Sequence, residues 1–289
     1  MRRWLLALAA FLSLMHGARA DLTDHYTLLL VWMPGLCKLE PDRVECKDLT
    51  LRRYDGLNLA FMALQSVKAS GRANTFCFTM SSDQEMDRSH DWCDIDKPRV
   101  SDDLTEALKT LMPVMQSCQD RGLWVRYASC TLYSADEYYK RAIRLAKPIA
   151  GTQMNSKIAG AVGETVKQSD LIDAVKADFG DDNANAVDFV CRRIDGHAHL
   201  VEVKIALTAR ALTRGLEPDL FWKPTGPVRR SCPETIRVDA PPVPITGAGA
   251  TSAAPAPVPA EPDVPLTVPI APVEIEPLEP LEPSGPVVR

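Results

Sequence analysis

Tyr26-Thr-Leu-Leu-Leu-Val-Trp-Met-Pro-Gly-Leu-Cys37 lies near the start of the apolar-rich part of the chain. Its first seven residues form an almost unbroken apolar run, which predicts a strand that is covered on both faces. A second run, over 57–64, predicts another strand. Segments 187–193 and 199–207 flank Asp195-Gly196, a pattern that predicts a hairpin with a tight turn.

Helical patterns alternate with these strands. Ser101 is a candidate N-cap for apolar residues at helical spacing up to Met115. Ser134-Ala-Asp-Glu137 is a capping box, and a further helix is predicted from Ser169 to Gly180. Because strands and helices are interleaved without a strict βαβ rhythm, we expect an α+β fold.

The two ends of the chain have other compositions. Arg2 and Arg3 precede a short apolar run and Ala18-Arg-Ala20, a pattern typical of a secretory signal peptide over 1–20. That run is too short to span a bilayer, so we expect a secreted or periplasmic protein without integral membrane association. Residues 241–289 hold 14 of the 23 prolines and six acidic residues. They predict a disordered, Pro-rich acidic tail after a folded domain over 21–240.

Charge and cysteine content limit the functional classes. Residues 21–240 carry 29 Lys and Arg against 32 Asp and Glu, so the domain lacks the basic surface that duplex nucleic acid requires. All eight cysteines follow the predicted signal peptide, which indicates four disulfides in an exported protein. Zinc is the alternative, but the sequence contains no CxxC or CxxH pair. We expect neither metal nor cofactor.

Several blocks resemble the ribonuclease T2 family in their order. The first is the opening run through Cys37, with Cys46 and Leu49 after it. The others are Arg53-Tyr54-Asp55, Leu111-Met112-Pro113, Trp124 to Cys130, Ser134 to Leu145 with Tyr138-Tyr139, and Leu200 to Ile205. The match spans roughly residues 26–208. The resemblance implies a central antiparallel sheet that is flanked by helices and stabilised by disulfides. It also implies a family activity, RNA cleavage that leaves 2′,3′-cyclic ends.

The two active-site segments of that family have changed here. A family His-Gly-Leu-Trp-Pro segment corresponds to Met62-Ala-Leu-Gln-Ser66. A family His-Glu-Trp-x-Lys-His-Gly-Thr-Cys segment corresponds to Gly122-Leu-Trp-Val-Arg-Tyr-Ala-Ser-Cys130. All three histidines and the glutamate of these segments are replaced, so the relic catalytic positions are Met62, Gly122, Leu123 and Tyr127. Methionine and glycine cannot transfer protons, and tyrosine is a poor base near neutral pH.

No shift of register supplies the missing groups, because His90 is the only histidine between Tyr26 and Gly196. We interpret His90 as a surface residue. His197 and His199 share one face of a predicted strand, where two imidazoles are able to hold a metal. Beside a hairpin turn, we interpret them instead as solvated polar residues.

The resemblance also suggests disulfide pairings. Cys130 matches a family cysteine that bridges to the loop after the first active segment, where Cys93 is the favoured partner. Cys77 and Cys118 then form a pair, together with Cys37–Cys46 and Cys191–Cys232. Spacing alone does not choose among the 105 pairings that eight cysteines allow.

Three functions remain open. The first is an exported, catalytically inactive protein that binds single-stranded RNA, a nucleotide or a protein partner through Arg126, Tyr127 and Trp124, or through the tail. For Trp124, core packing is the alternative to base stacking. The second is an active endoribonuclease with a site rebuilt from Tyr127, Arg126 and a carboxylate. The third is a structural envelope protein that acts through its tail.

Overall fold

The computed structural model describes residues 23–224 and 230–242. The predicted signal peptide over 1–20, and the predicted tail beyond Pro242, lie outside the described residues. The described chain forms six strands: β1 Thr23–Val31, β2 Ala60–Lys68, β3 Thr165–Lys167, β4 Val187–Ile194, β5 His197–Leu207 and β6 Thr235–Arg237.

Nine α-helical segments, several of them a single turn, surround the sheet in the described residues. They are α1 Met33–Leu39, α2 Tyr54–Leu57, α3 Ser81–Ser89, α4 Asp102–Leu111, α5 Gln119–Arg126, α6 Ala135–Ala146, α7 Gln153–Ala159, α8 Gln168–Phe179 and α9 Ala211–Arg214. Short 3₁₀ turns occupy Val44–Cys46, Trp92–Asp94, Pro113–Ser117, Ala128–Thr131, Lys147–Gly151, Asp181–Ala186 and Pro218–Leu220. The architecture is α+β, as the sequence predicts.

The strands form one sheet in which hydrogen-bonded neighbours follow the order β2-β1-β5-β6-β3. β1 and β6 pair with the same edge of β5, and β4 pairs with the opposite edge. Every strand pairing is antiparallel except that of β5 with β6, where His199 lies opposite Arg237 in parallel orientation. The apolar run that opens the domain is central because β1 pairs with both β2 and β5. Its residues from Leu28 to Trp32 are almost fully buried, as expected for a strand covered on both faces.

Each element that the sequence predicts is present, although the strand predicted over 57–64 is β2, Ala60–Lys68. The Ser134 hydroxyl accepts a hydrogen bond from the Glu137 amide and caps α6. α8 ends at Gly180, whose φ of 93° is accessible to glycine. Asp195 and Gly196 both have positive φ in the hairpin turn. The helix after Ser101 is shorter than predicted, since α4 ends before Pro113, and Met115 lies in the following 3₁₀ turn.

The structure contains the four disulfides that the cysteine count indicates. Two have the expected partners, Cys37–Cys46 and Cys191–Cys232. The other two predictions, Cys93–Cys130 and Cys77–Cys118, are wrong: the bonds are Cys77–Cys130 and Cys93–Cys118. Cys118 and Cys130 lie beyond opposite ends of α5, which is about 12 Å long. The direction in which α3 crosses α5 therefore decides the pairing.

Candidate functional site

The second segment that matches the family's active site, residues 122–130, begins in helix α5. Residues 77–93 cover this helix. We call residues 77–93 the cap. The cap is fixed at both ends, because Cys93 bonds Cys118 before α5 and Cys77 bonds Cys130 after it. Directly before the cap, the Phe76 amide donates to the Arg126 carbonyl at 2.9 Å. The cap thus runs along α5 in the opposite direction.

Gly122 lies in α5 directly under the cap. A Cβ atom at this position would be 2.4 Å from the Asp87 carboxylate and 2.4 Å from the Trp92 ring. Both distances are far shorter than an ordinary contact of about 3.5 Å. The space that a side chain at residue 122 would need is therefore filled by Asp87 and Trp92.

Asp87 connects the cap to the end of α5. Its side chain is only 2% exposed. One carboxylate oxygen accepts from the Trp92 indole at 3.2 Å, and the other accepts from Arg126 Nε at 2.7 Å. Because both oxygens are engaged and buried, Asp87 is a structural acceptor.

Arg126 is the cation of this site. Burial opposes its charged form, but the hydrogen bond and charge of Asp87 outweigh that cost, so the pKa of the guanidinium lies above its ordinary value. The side chain remains 31% exposed, and its guanidinium carbon lies 5.9 Å from the centre of the Tyr127 ring. Arg126 is therefore a permanent positive charge that solvent can reach beside a phenol ring.

The other candidate residues are packing groups to different degrees. Leu123 is buried in the main core, and Met62 is half-buried between two apolar clusters. Trp124 packs edge-on against Tyr138 at 5.8 Å and stacks with Tyr139 at 6.2 Å between ring centres. The structure thus brings Arg126 and Tyr127 together at the surface and packs Leu123 inside.

Sequence reasoning missed the two cap residues, Asp87 and Trp92. A signal was present in Gly122, since glycine inside a helix costs about 1 kcal/mol relative to alanine and indicates a close approach. The approaching segment itself carries no pattern that identifies it.

The prediction of exposed histidines is confirmed for His90 and His197 but not for His199. His90 is exposed at the end of α3, and His197 is exposed in β5. The interpretation of His199 as a solvated residue is wrong: it is 3% exposed, and its Nδ1 lies 2.8 Å from Asp239 Oδ2. The segment after β6 supplies that carboxylate, and the hairpin pattern gives no indication of it. Within residues 23–224 and 230–242, no group of three or more His, Cys, Asp or Glu is arranged to hold a metal ion.

Comparison with known proteins gives the chain its relatives. It is 26% identical over 234 residues to ribonuclease I from Escherichia coli (strain K12), covering 75% of this chain and 86% of that protein. Its fold matches the self-incompatibility-associated SF11-RNase of Nicotiana alata with a TM-score of 0.51 and 14% identity, over 74% of this chain and 98% of that chain. The chain is therefore similar to ribonuclease I in sequence and to the SF11-RNase in fold.

A further T2-like structure is a mutant of RNase MC1 in complex with 5′-GMP. It has a TM-score of 0.49 and 19% identity over 75% of this chain and all of that chain. No family model matches this chain. Among the described residues, no helix is long and apolar enough to cross a membrane.

Proposed function

We propose that this chain is an exported, non-catalytic protein that binds single-stranded RNA or a nucleotide at the exposed end of α5. Arg126 supplies the charge for a phosphate, and Tyr127 supplies a ring and a hydroxyl beside it. The predicted signal peptide and the four disulfides support export.

The observation that carries this proposal is the contact between Gly122 and the cap. RNA cleavage through a 2′,3′-cyclic end needs one group to take the 2′-hydroxyl proton and another to protonate the leaving oxygen. Each contributes roughly 10²–10⁴ in rate. Residue 122 has no side chain and no space for one, and Met62 has no ionisable group. Two positions that match catalytic histidines in the family therefore contribute nothing to proton transfer.

A site rebuilt from carboxylates is disfavoured by burial. Asp87 of the cap hydrogen-bonds Arg126, and Asp120 lies in α5 itself. They are 1% and 5% exposed. Burial raises the pKa of Asp120, and the charges of Arg121 and Lys97 oppose this shift only in part. A general base has to reach the substrate proton, and neither carboxylate is open to a bound RNA.

The test combines cleavage and binding. The oxidised protein is incubated with RNA from pH 4 to 9, and products are examined for 2′,3′-cyclic ends; we expect none. Binding of a fluorescent oligouridylate is then measured for the wild type, Arg126→Gln and the matched control Arg99→Gln, which removes an exposed cation elsewhere. We expect Arg126→Gln alone to weaken binding about tenfold, as for one charge-assisted hydrogen bond. Cleavage that disappears in Arg126→Gln would contradict the proposal.

A further inference from the structure

A second cationic surface lies around β3 and β6, on residues outside α5 and the cap. In the β3 region, a groove of about 770 Å³ opens beside the strand, lined among others by Lys157 of α7 and Lys167 of β3. This surface is separate from the site proposed above.

The strand register extends the cationic surface from the groove across the sheet. Arg192 lies opposite His199, His199 lies opposite Arg237, and Arg237 lies opposite Thr165. Direct partners in a sheet point to the same face, so these four residues form one row across four strands. Two strand spacings separate Arg192 from Arg237, or about 10 Å. Lys167 follows Thr165 by two residues and shares its face.

The cations on this surface have no partners in the part of the chain that the structure describes. Lys157, Lys167, Arg192 and Arg237 are all exposed, and none forms an ion pair or a side-chain hydrogen bond there. His199, in the middle of the row, is different because Asp239 accepts its hydrogen bond. Most arginines elsewhere in the described chain donate to a carboxylate or carbonyl, as Arg43, Arg53 and Arg126 do. The row therefore leaves guanidinium and ammonium donors free for a ligand.

We infer that this surface, defined by Lys157, Lys167, Arg192 and Arg237, binds a phosphate polymer through its backbone charges. A linear ligand fits because the cations are spread over several strands rather than gathered around one point. The groove lining contains no aromatic side chain, so bases have no ring on which to stack and recognition rests on charge. Two carboxylates, Glu164 and Asp170, also line the groove and must lower its affinity for any anion.

The experiment measures binding of inorganic polyphosphate, polyuridylate and polyglutamate to the oxidised protein as a function of salt. The test variant is Lys157→Gln/Lys167→Gln/Arg237→Gln. The matched control, Lys47→Gln/Arg52→Gln/Arg99→Gln, removes three exposed cations outside this surface. Circular dichroism and the denaturation midpoint verify that both variants are folded.

We expect wild type and control to bind polyphosphate with a strong salt dependence. In the test variant, the slope of log K against log salt should decrease by about 2, since each lost contact to a flexible polyanion removes about 0.7. Glu164→Gln should increase the affinity, because it removes a negative charge from the groove. Polyuridylate should bind here as polyphosphate does, which would identify phosphate as the shared ligand.

Three results would overturn the inference: no polyphosphate binding at low salt, an equal loss in the control variant, or equally tight binding of polyglutamate. Arg126→Gln separates this surface from the site on α5. In an Arg126→Gln background, Lys157→Gln/Lys167→Gln/Arg237→Gln should still lower the polyphosphate salt slope by about 2, so failure of the proposed function at α5 and failure of this inference are distinguishable.

Discussion

Replacing Gly122 by alanine tests the contact on which the functional proposal rests. The added methyl would lie 2.4 Å from Asp87 Oδ1 and 2.4 Å from the Trp92 ring. Overpacking of this kind costs about 1–3 kcal/mol. Displacing Asp87 breaks a charged hydrogen bond worth about 1.5–3 kcal/mol. The higher helix propensity of alanine stabilises the helix by about 1 kcal/mol. We therefore expect Gly122→Ala to lower the free energy of unfolding by about 1.5–5 kcal/mol.

The assay is equilibrium denaturation of the oxidised protein in urea, with the free energy of unfolding obtained by linear extrapolation. Gly151→Ala is the matched control, because a Cβ at Gly151 meets no atom within 4 Å and the backbone there has negative φ. The control should be neutral or slightly stabilising. If Gly122→Ala also proved neutral or stabilising, the cap would not fill the space beside residue 122.

The same contact makes a prediction for restored histidines. Histidine at residue 122 is larger than alanine, so Met62→His/Gly122→His should unfold at lower urea than the wild type and show no RNA cleavage. In a Trp92→Ala background, which lacks one of the two blocking groups, Gly122→His should cost less stability than it does in the wild type. A stable, RNA-cleaving double variant would refute the reasoning.

Three further predictions follow from buried groups and from the cap. Burial raises the pKa of Tyr26 and Tyr54 to about 12. In the unfolded chain, tyrosine phenols ionise near pH 10. The free energy of unfolding should therefore fall between pH 10 and 12, by up to 1.4 kcal/mol per pH unit for each of these tyrosines. Absorbance titration at 295 nm should show that at least these two phenols ionise well above pH 10. Ionisation of every tyrosine near pH 10 would contradict the prediction. Peptide mapping of the oxidised protein should yield peptides joined by Cys77–Cys130 and Cys93–Cys118. A peptide joined by Cys93–Cys130 would show that the cap does not run along α5 in the opposite direction. Ser134→Ala should lower the free energy of unfolding in urea by about 0.5–2 kcal/mol, because α6 loses its N-terminal hydrogen bond from the Glu137 amide to the Ser134 hydroxyl. An unchanged midpoint would show that this hydrogen bond contributes nothing.

The candidate site was predictable only in part. Arg126 and Tyr127 follow from matching a single segment to the family pattern, and both lie at the exposed end of α5. Asp87 and Trp92 belong to another segment, 30 or more residues away from Gly122 in the chain. Sequence distance hides such a contact, because only the crossing of α3 over α5 brings the groups together.

By itself, the sequence determined what depends on neighbouring residues. The apolar run of β1, the capping box of α6 and the Asp195-Gly196 turn each contain their own physical cause: burial, a satisfied amide or permitted positive φ. It also indicated the resemblance to the T2 ribonucleases and the replacement of ionisable groups at residues 62 and 122.

Tertiary structure decided what depends on the approach of distant segments. The direction of the cap across α5 selected Cys77–Cys130 and Cys93–Cys118, and the return of the chain after β6 buried His199 beside Asp239. Alignment of four strands assembled the row from Arg192 to Thr165. Each outcome is set by a distance in space between residues that no local pattern links, and so only the folded chain fixes it.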